Sequence, residues 1–182
     1  KKNTLKINDN GICDACNYAK SKHNINWNDR EKLLIKKLEK FKKNDGAYDC
    51  IVPGSGGKDS VRAAHMLKYK YGMNPLTITW APHIYTDIGY RNIMNWINVG
   101  GFDNLAFTPN GKVIKKLSYE AFKNLLFPFQ PFKFGIKFWA IKMALKLNIK
   151  LVMYGEPYLE YGSQKLNEST SASRDKKYYI ND

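Results

Sequence analysis

The chain has 182 residues, which is long enough for one well-buried core and too short for two full-sized domains. Its hydrophobic share of 43% is ordinary for a globular protein, and no apolar run approaches the roughly 20 residues that span a bilayer, which excludes a membrane-spanning helix. The net charge of +14 is compatible with a polyanionic partner. Because nearly all of this charge is lysine, accompanied by the Asn, Ile and Tyr that an AT-rich genome produces, we predict a solvated surface rather than a nucleic-acid partner.

The first 28 residues are polar and contain a Cys-x-x-Cys pair, Cys13 and Cys16. We predict a small irregular segment without its own hydrophobic core, stabilised by a bound metal ion, with a metal-free thiol pair as the alternative. Three cysteines are too few for a disulfide framework, which favours a reducing, cytoplasmic location. The sequence begins with Lys1 rather than Met and stops after a polar tail, so we expect a piece of a longer protein.

Helical and strand periodicities alternate in the rest of the chain. A helix is predicted to begin at Asp29 and to end near residues 44–46. The later elements are predicted as a strand at 48–53, helix Ser60–Tyr71, strand Leu76–Trp80, helix Thr86–Ile97, strand Leu105–Thr108, helices Lys112–Leu126 and Lys133–Leu147, and strand Leu151–Tyr154. This alternation indicates an α/β fold with a doubly wound parallel sheet over residues 29–166. Residues 167–182 are an uncertain tail or the start of a further region.

Proteins with such a sheet bind their ligands outside the carboxyl ends of the strands. The segments predicted to meet there are Gly54–Ser60, Trp80–Thr86, Thr108-Pro109 and Gly155–Gly162. The sequence therefore predicts one crevice formed by four separate segments.

The first of these segments, Ser55-Gly56-Gly57-Lys58-Asp59-Ser60, follows a buried strand and opens a helix. Its backbone N–H groups can point at one anion, and its glycines allow a close approach. It is not the mononucleotide loop, because Asp59 stands where Gly-x-x-x-x-Gly-Lys-[Ser/Thr] needs a hydroxyl. It is not the dinucleotide motif either, because Asp59 occupies the last glycine position. The segment resembles Ser-Gly-Gly-x-Asp-Ser, the signature of the PP-loop ATP pyrophosphatases, which implies cleavage of ATP to AMP and pyrophosphate.

The chain from residue 11 to about residue 162 also resembles the N-acetyl sugar amidotransferases of bacterial surface-polysaccharide and nonulosonic-acid biosynthesis. The segments that carry this resemblance are Gly11–Cys16, Tyr48–Pro53, Thr86–Asn92, Gly101–Asp103 and Gly155–Gly162. The last block looks like Gly-Glu-Asn-x-x-Glu-Tyr-Gly in the family, and Pro157 departs from it. Gly54 is a second departure, because the family usually has a larger residue there.

This resemblance implies that the acetamido oxygen of a free or nucleotide-linked N-acetylated sugar attacks the α-phosphorus of ATP, and that ammonia then displaces AMP to give an acetamidino group. It also implies ATP and Mg²⁺ as cofactors, a partner glutaminase that supplies ammonia, and structural Zn²⁺ held by Cys13, Cys16 and a second pair upstream of Lys1. The residues expected to bind nucleotide are Pro53, Gly54, Ser55, Gly56, Gly57, Lys58, Asp59, Ser60, Thr79, Trp80 and Gly155. Lys58, Asp59 and Glu156 are expected to act in catalysis, and Arg91, Glu160 and Tyr161 to contact the sugar.

Other interpretations stay open at this point. A tRNA-modifying PP-loop enzyme of the thiolation type would also suit a basic surface, but it needs a cysteine near the ATP site, and Cys50 falls in a predicted buried strand. A degenerate scaffold is disfavoured because every hallmark position of the loop is filled. His83 either contacts a sugar-nucleotide phosphate or faces solvent. The aromatic stretch Phe127–Phe134 is predicted to be mostly core, with a sugar-stacking wall or a partner interface as alternatives.

Overall fold

The computed structural model of the chain describes residues 7–156. Residues 33–155 form one compact unit, and the rest of the described chain belongs to a second. The N-terminal helices are α1 (Asp14–Ser21), followed by a 3-10 turn (Lys22–Asn24), and α2 (Trp27–Leu38). Among residues 7–156, no helix is both long enough and apolar enough to cross a membrane.

Cys13 is the N-cap of α1 and Cys16 lies in its first turn, so this part of the N-terminal segment is helical where an irregular one was predicted. The Asn8 side-chain oxygen accepts hydrogen bonds from the amides of Asn10 (3.2 Å) and Ile12 (2.9 Å), which fixes the turn that leads into α1. Cys13 caps the helix, and its Sγ accepts from the backbone N–H of Cys16 at 3.4 Å. Local capping hydrogen bonds therefore give this segment its regular structure.

The sheet consists of β1 (Cys50–Pro53), β2 (Pro75–Trp80) and β3 (Asn104–Phe107), all parallel and in that order. A short edge segment, residues 151–153, pairs in parallel with the free side of β1. The amide of Ile51 donates to the Leu151 carbonyl at 2.9 Å, and the amide of Met153 donates to the Ile51 carbonyl at 2.8 Å. The chain thus moves outward from β1 to β3 and then returns to the opposite side of β1.

The crossover helices cover both faces of the sheet, which confirms the predicted α/β, doubly wound parallel fold. They are α3 (Lys58–His65), which continues as a π-helical turn (Met66–Lys70), and α4 (Asp87–Asn98) on one face, and α6 (Gln130–Lys146) on the other. Helix α5 (Gly111–Leu125) precedes α6 and packs against it. One buried cluster joins β1 to α3 and α4 and contains Cys50, Val52, Ala64, Leu67, Ile93, Trp96 and Phe102. The other joins β1 and β2 to α6 and contains Ile51, Leu76, Ile78, Ala140 and Ala144.

Small residues of α6 face the sheet. Gly135, Ala140 and Ala144 are buried, and a Cβ at Gly135 would lie 2.1 Å from the Trp80 ring. Phe134 on α6, and Phe127 and Phe129 just before the helix, are 38%, 37% and 55% exposed. The expectation that most of this aromatic stretch is core was wrong for these three residues.

Candidate functional site

The loop after β1 occupies the position where doubly wound sheets bind ligands. Strand order reverses at β1, whose neighbours are β2 on one side and the edge segment on the other. Residues 54–57 leave the carboxyl end of β1 and lead directly into α3. Ligand crevices of open α/β sheets lie at such a reversal, outside the carboxyl ends of the strands.

Close packing against two other elements fixes the path of this loop. A Cβ at Gly54 would lie 2.3 Å from Ser60 Cβ and 2.8 Å from the Trp96 ring. Gly56 has φ +79°, and a Cβ there would lie 2.7 Å from the backbone nitrogen of Ile93 on α4. Gly54, the departure from the family pattern, is therefore the residue that this packing requires.

Three successive amides of the loop remain available for a ligand. Within residues 7–156, the N–H groups of Ser55, Gly56 and Gly57 donate to no protein acceptor. Gly57 is the N-cap of α3, and because it has no side chain it makes no side-chain cap hydrogen bond. Unpaired amides at the start of a helix attract anions, because their partial positive charges add to that of the helix.

The polar side chains of the loop interact with each other and with its backbone. Lys58 Nζ lies 3.0 Å and 3.2 Å from the two carboxylate oxygens of Asp59, and the side chains are 89% and 42% exposed. The Ser60 hydroxyl donates to the Gly57 carbonyl at 3.0 Å. Ser60 therefore closes the first turn of α3, while Lys58 and Asp59 are accessible to an incoming phosphate or cation.

Thr79 lies beneath the loop, fully buried. Its hydroxyl donates to the Gly54 carbonyl at 2.8 Å and accepts from the Asn104 side-chain amide at 3.1 Å. The sequence predicted that Thr79 contacts the nucleotide directly, and it gave no role to Asn104. The only signal for these residues is the presence of polar side chains within short, otherwise apolar strands.

Trp80 and Gly155 are packed against neighbouring elements. The Trp80 ring centroid lies 4.9 Å from that of Phe107 and 6.3 Å from that of Trp139, on the sheet face that α6 covers. Gly155 follows the edge segment, and a Cβ there would lie 2.5 Å from the backbone carbon of Asp59. The structure thus brings Gly155 against the loop, as the convergence of segments predicted.

The other predicted site residues are less constrained. Arg91 is exposed on α4, and exposed His83 contacts the Phe132 ring at 5.6 Å between centroids. Glu156 is exposed and is the last described residue. Glu160, Tyr161, Gly162 and the tail at 167–182 lie outside the described residues.

Cys50 is far from the loop along β1, because it opens the strand that Pro53 ends. It is fully buried, and burial, with a smaller effect of Asp49, raises its pKa to about 12. A thiol with that pKa is protonated at neutral pH and is a poor nucleophile or metal ligand. Cys50 is a core residue, as the sequence predicted.

The Cys13 and Cys16 pair alone does not make a zinc site. Structural zinc needs four ligands, and among residues 7–156 no group of three or more His, Cys, Asp and Glu side chains could hold a metal ion. Hydrogen bonds from the amide and the thiol of Cys16 lower the pKa of Cys13, and the same thiol–thiol hydrogen bond raises the pKa of Cys16. The described residues therefore provide one activated thiol rather than a complete metal centre.

This asymmetry predicts the order of alkylation. At neutral pH iodoacetamide should modify Cys13 before Cys16, because thiolate is the reactive form, although Cys16 is the more exposed of the two. The difference should narrow as the pH rises above the ordinary thiol pKa, and Cys50 should react only after unfolding. Peptide mass spectrometry over time measures all three rates. If the hydrogen bond from the Cys16 amide is the main cause of the lowered pKa, Cys13 should still be alkylated rapidly in a Cys16→Ser variant. Equal alkylation rates at Cys13 and Cys16 in the native protein would contradict the prediction.

A groove of about 510 Å³ runs between α3 and α4. Its walls include His65 and Tyr69 on one side and Asn92, Asn95 and Trp96 on the other. Gly56 is the only residue it shares with the loop at 54–60 in the described chain. The groove therefore adjoins the loop at Gly56.

Comparisons with known proteins add two similarities. No protein-family model matches the chain. An uncharacterized protein of Methanocaldococcus jannaschii is 40% identical over 67 residues, which are 37% of this chain and 24% of the relative. The chain therefore spans about a quarter of that relative's length. A solved structure described as a predicted subunit of tRNA methyltransferase, also from Methanocaldococcus jannaschii, aligns with 64% of this chain and 56% of its own, at 23% identity and a TM-score of 0.45.

Proposed function

We propose that the chain binds ATP at the loop of residues 54–60 and transfers AMP to an oxygen atom of an acceptor, releasing pyrophosphate. The observation that carries this proposal is that the amides of Ser55, Gly56 and Gly57 donate to no acceptor within residues 7–156, at the amino end of α3 and at the strand-order reversal. Amides held in place by packing can stabilise a departing pyrophosphate without reorganising during the reaction. Most of the catalytic effect would then come from positioning.

Lys58 and Asp59 have complementary tasks in this proposal. The Lys58 ammonium leaves Asp59 and neutralises charge on the departing phosphates, because it is the more exposed partner of a weak surface pair. The Asp59 carboxylate and the Ser55 hydroxyl are oxygen ligands of the kind that Mg²⁺ prefers, so they fit this ion. Bound Mg²⁺ would supply charge neutralisation across the phosphates.

For the acceptor we propose an N-acetylated sugar, in agreement with the family resemblance of the sequence. The amide oxygen becomes a good leaving group once AMP is attached, and ammonia from a partner glutaminase replaces it. Glu156 would orient the ammonia or accept its proton, and Arg91, Glu160 and Tyr161 would contact the sugar. No nucleophilic side chain is needed, which is consistent with the position of Cys50.

A tRNA acceptor is the second candidate, and the charge favours it. Residues 111–150 contain nine lysines and a single acidic residue, Glu120, within a chain whose net charge is +14. Lysine clusters bind phosphate backbones by releasing counterions. Neither similar protein is described as a sugar amidotransferase, and the solved structure is described as a predicted subunit of tRNA methyltransferase.

One assay separates the two acceptors. The full-length protein is incubated with ATP, Mg²⁺ and ammonium chloride, together with either a panel of nucleotide-linked N-acetylated sugars or tRNA with a sulfur donor, and AMP, pyrophosphate and product masses are followed. AMP release that depends on a sugar, with conversion of the amide to an amidine, supports the sugar acceptor. Release that depends on tRNA supports the second candidate. No AMP with any acceptor would overturn adenylation itself.

A matched pair of variants ties this activity to the loop. Asp59 and Asp87 each lie in the first turn of a helix that follows a strand. Asp59→Asn should lower the rate of AMP formation roughly hundredfold, the usual cost of losing one electrostatic stabiliser of the transition state. Asp87→Asn should leave the rate within about twofold of the wild type. Equal effects of the two substitutions would argue against the loop as the site.

A further inference from the structure

We propose that Asn104 on β3 and Thr79 on β2 are positioning residues for the phosphate loop, acting through the Gly54 carbonyl. The geometry of this inference is given by hydrogen bonds in the structure, and its expected effect on nucleotide binding rests on the proposed function. The chain of contacts runs from the Asn104 side-chain amide to the Thr79 hydroxyl at 3.1 Å, and from that hydroxyl to the Gly54 carbonyl at 2.8 Å. We call it the Asn104–Thr79–Gly54 relay.

The direction of every hydrogen bond in the relay is determined by the donor count. The Thr79 hydroxyl has one proton, which goes to the Gly54 carbonyl, and the Thr77 hydroxyl likewise donates to the Asp103 carbonyl at 2.6 Å. Both hydroxyls can then only accept, so Asn104 must offer its NH₂ group to Thr77 at 2.9 Å and to Thr79. If the Asn104 amide were flipped, its oxygen would face the Thr77 and Thr79 hydroxyls, which have no proton left to donate.

Asn104 is a costly residue at this position. Asparagine is unfavourable in strands, and its side-chain oxygen is buried without a hydrogen-bond partner among the described residues. An apolar residue would fill the same space without leaving a polar atom unpaired. The two amide donors are therefore what this side chain contributes to the sheet.

The relay sets the direction of a ligand-binding amide. The Gly54 amide donates to the Ile78 carbonyl at 2.9 Å, so β2 holds both polar backbone groups of Gly54. The Gly54–Ser55 peptide is trans, and in a trans peptide the C=O and the following N–H point in opposite directions. Holding the Gly54 carbonyl on Thr79 therefore turns the Ser55 N–H away from Thr79, where it is available to the phosphate.

Thr77 provides a matched control. Thr77 and Thr79 are both fully buried on β2, both accept from Asn104 and both donate to a backbone carbonyl. Thr77→Val and Thr79→Val should therefore have similar costs to stability. Only Thr79→Val removes the hydrogen bond to the loop.

The test combines affinity with an amide signal. Binding of Mg²⁺ and α,β-methylene-ATP is measured by calorimetry on the full-length protein. We expect Thr79→Val to weaken binding about tenfold, because one buried hydrogen bond is worth about a factor of ten. Thr77→Val and Thr79→Ser should keep the affinity within about twofold of the wild type, because both retain a hydroxyl at residue 79. Asn104→Asp should weaken binding at least as much as Thr79→Val. Equal losses for both valine variants would overturn the relay.

A second readout does not depend on nucleotide. In ¹⁵N–¹H spectra of the free protein, Thr79→Val and Asn104→Asp should shift the Ser55 amide resonance, and Thr77→Val should leave it in place. A Ser55 resonance that is unchanged in Thr79→Val would overturn the relay even if nucleotide binds. A shifted resonance in a protein that binds no nucleotide would retain the relay and reject the proposed function.

Discussion

Replacing Gly56 with alanine is expected to lower the free energy of unfolding by about 3 kcal/mol and to abolish detectable nucleotide binding. Gly56 has φ +79°, a left-handed conformation that costs an L-residue about 1–2 kcal/mol. The new methyl group would also lie 2.7 Å from the backbone of Ile93, which belongs to α4 and cannot rotate away. A loss of that size corresponds to a melting temperature lower by roughly 10 °C for a chain of this length.

The matched control for this prediction is Gly46→Ala. Gly46 has φ +81°, and no atom lies within 4 Å of the position that its new methyl group would take, so it isolates the conformational cost from the collision. We expect Gly46→Ala to cost about 1–2 kcal/mol and to leave nucleotide affinity unchanged. Thermal unfolding by circular dichroism and binding calorimetry measure both quantities. If the two variants lose equal stability and both retain affinity, the loop does not pack on α4 as described.

Element type and order were predictable from the sequence because they depend on local patterns. The strands are short and mostly apolar, and the crossover helices have apolar residues at helical spacing, so β1, β2, β3 and α3 to α6 fall close to their predicted bounds. Thr86 is an N-cap whose hydroxyl accepts from the Gly89 amide at 3.0 Å, which explains why the start of α4 was predicted to within one residue. Such features need no knowledge of distant contacts.

What could not be predicted depends on partners far along the chain. The burial of Thr79 follows from its contacts with Gly54 and Asn104, each 25 residues away. The exposure of Phe134 follows from the small side chains that α6 presents to the sheet, since Trp80 leaves no room at Gly135. Spacing alone shows that a face is apolar, but not which of its residues the neighbouring element can accommodate.

The second large effect is expected from Gly155→Ala, which tests whether the edge segment and the loop form one site. A methyl group at Gly155 would lie 2.5 Å from the Asp59 carbonyl carbon and 2.6 Å from the Ser60 nitrogen, so either the edge segment or the first turn of α3 must move. We expect a loss of about 1–3 kcal/mol in stability and at least tenfold weaker binding of ATP with Mg²⁺.

Gly111→Ala is the matched control for this substitution. Gly111 is the first residue of α5, and nothing lies within 4 Å of the added methyl group, so alanine there should be neutral or slightly stabilising. If Gly155→Ala loses stability but keeps its affinity, the edge segment supports β1 without shaping the nucleotide site. If it loses affinity as well, the peptide of Asp59 and Ser60 must be held in place from the edge-segment side for the loop amides to reach the phosphates.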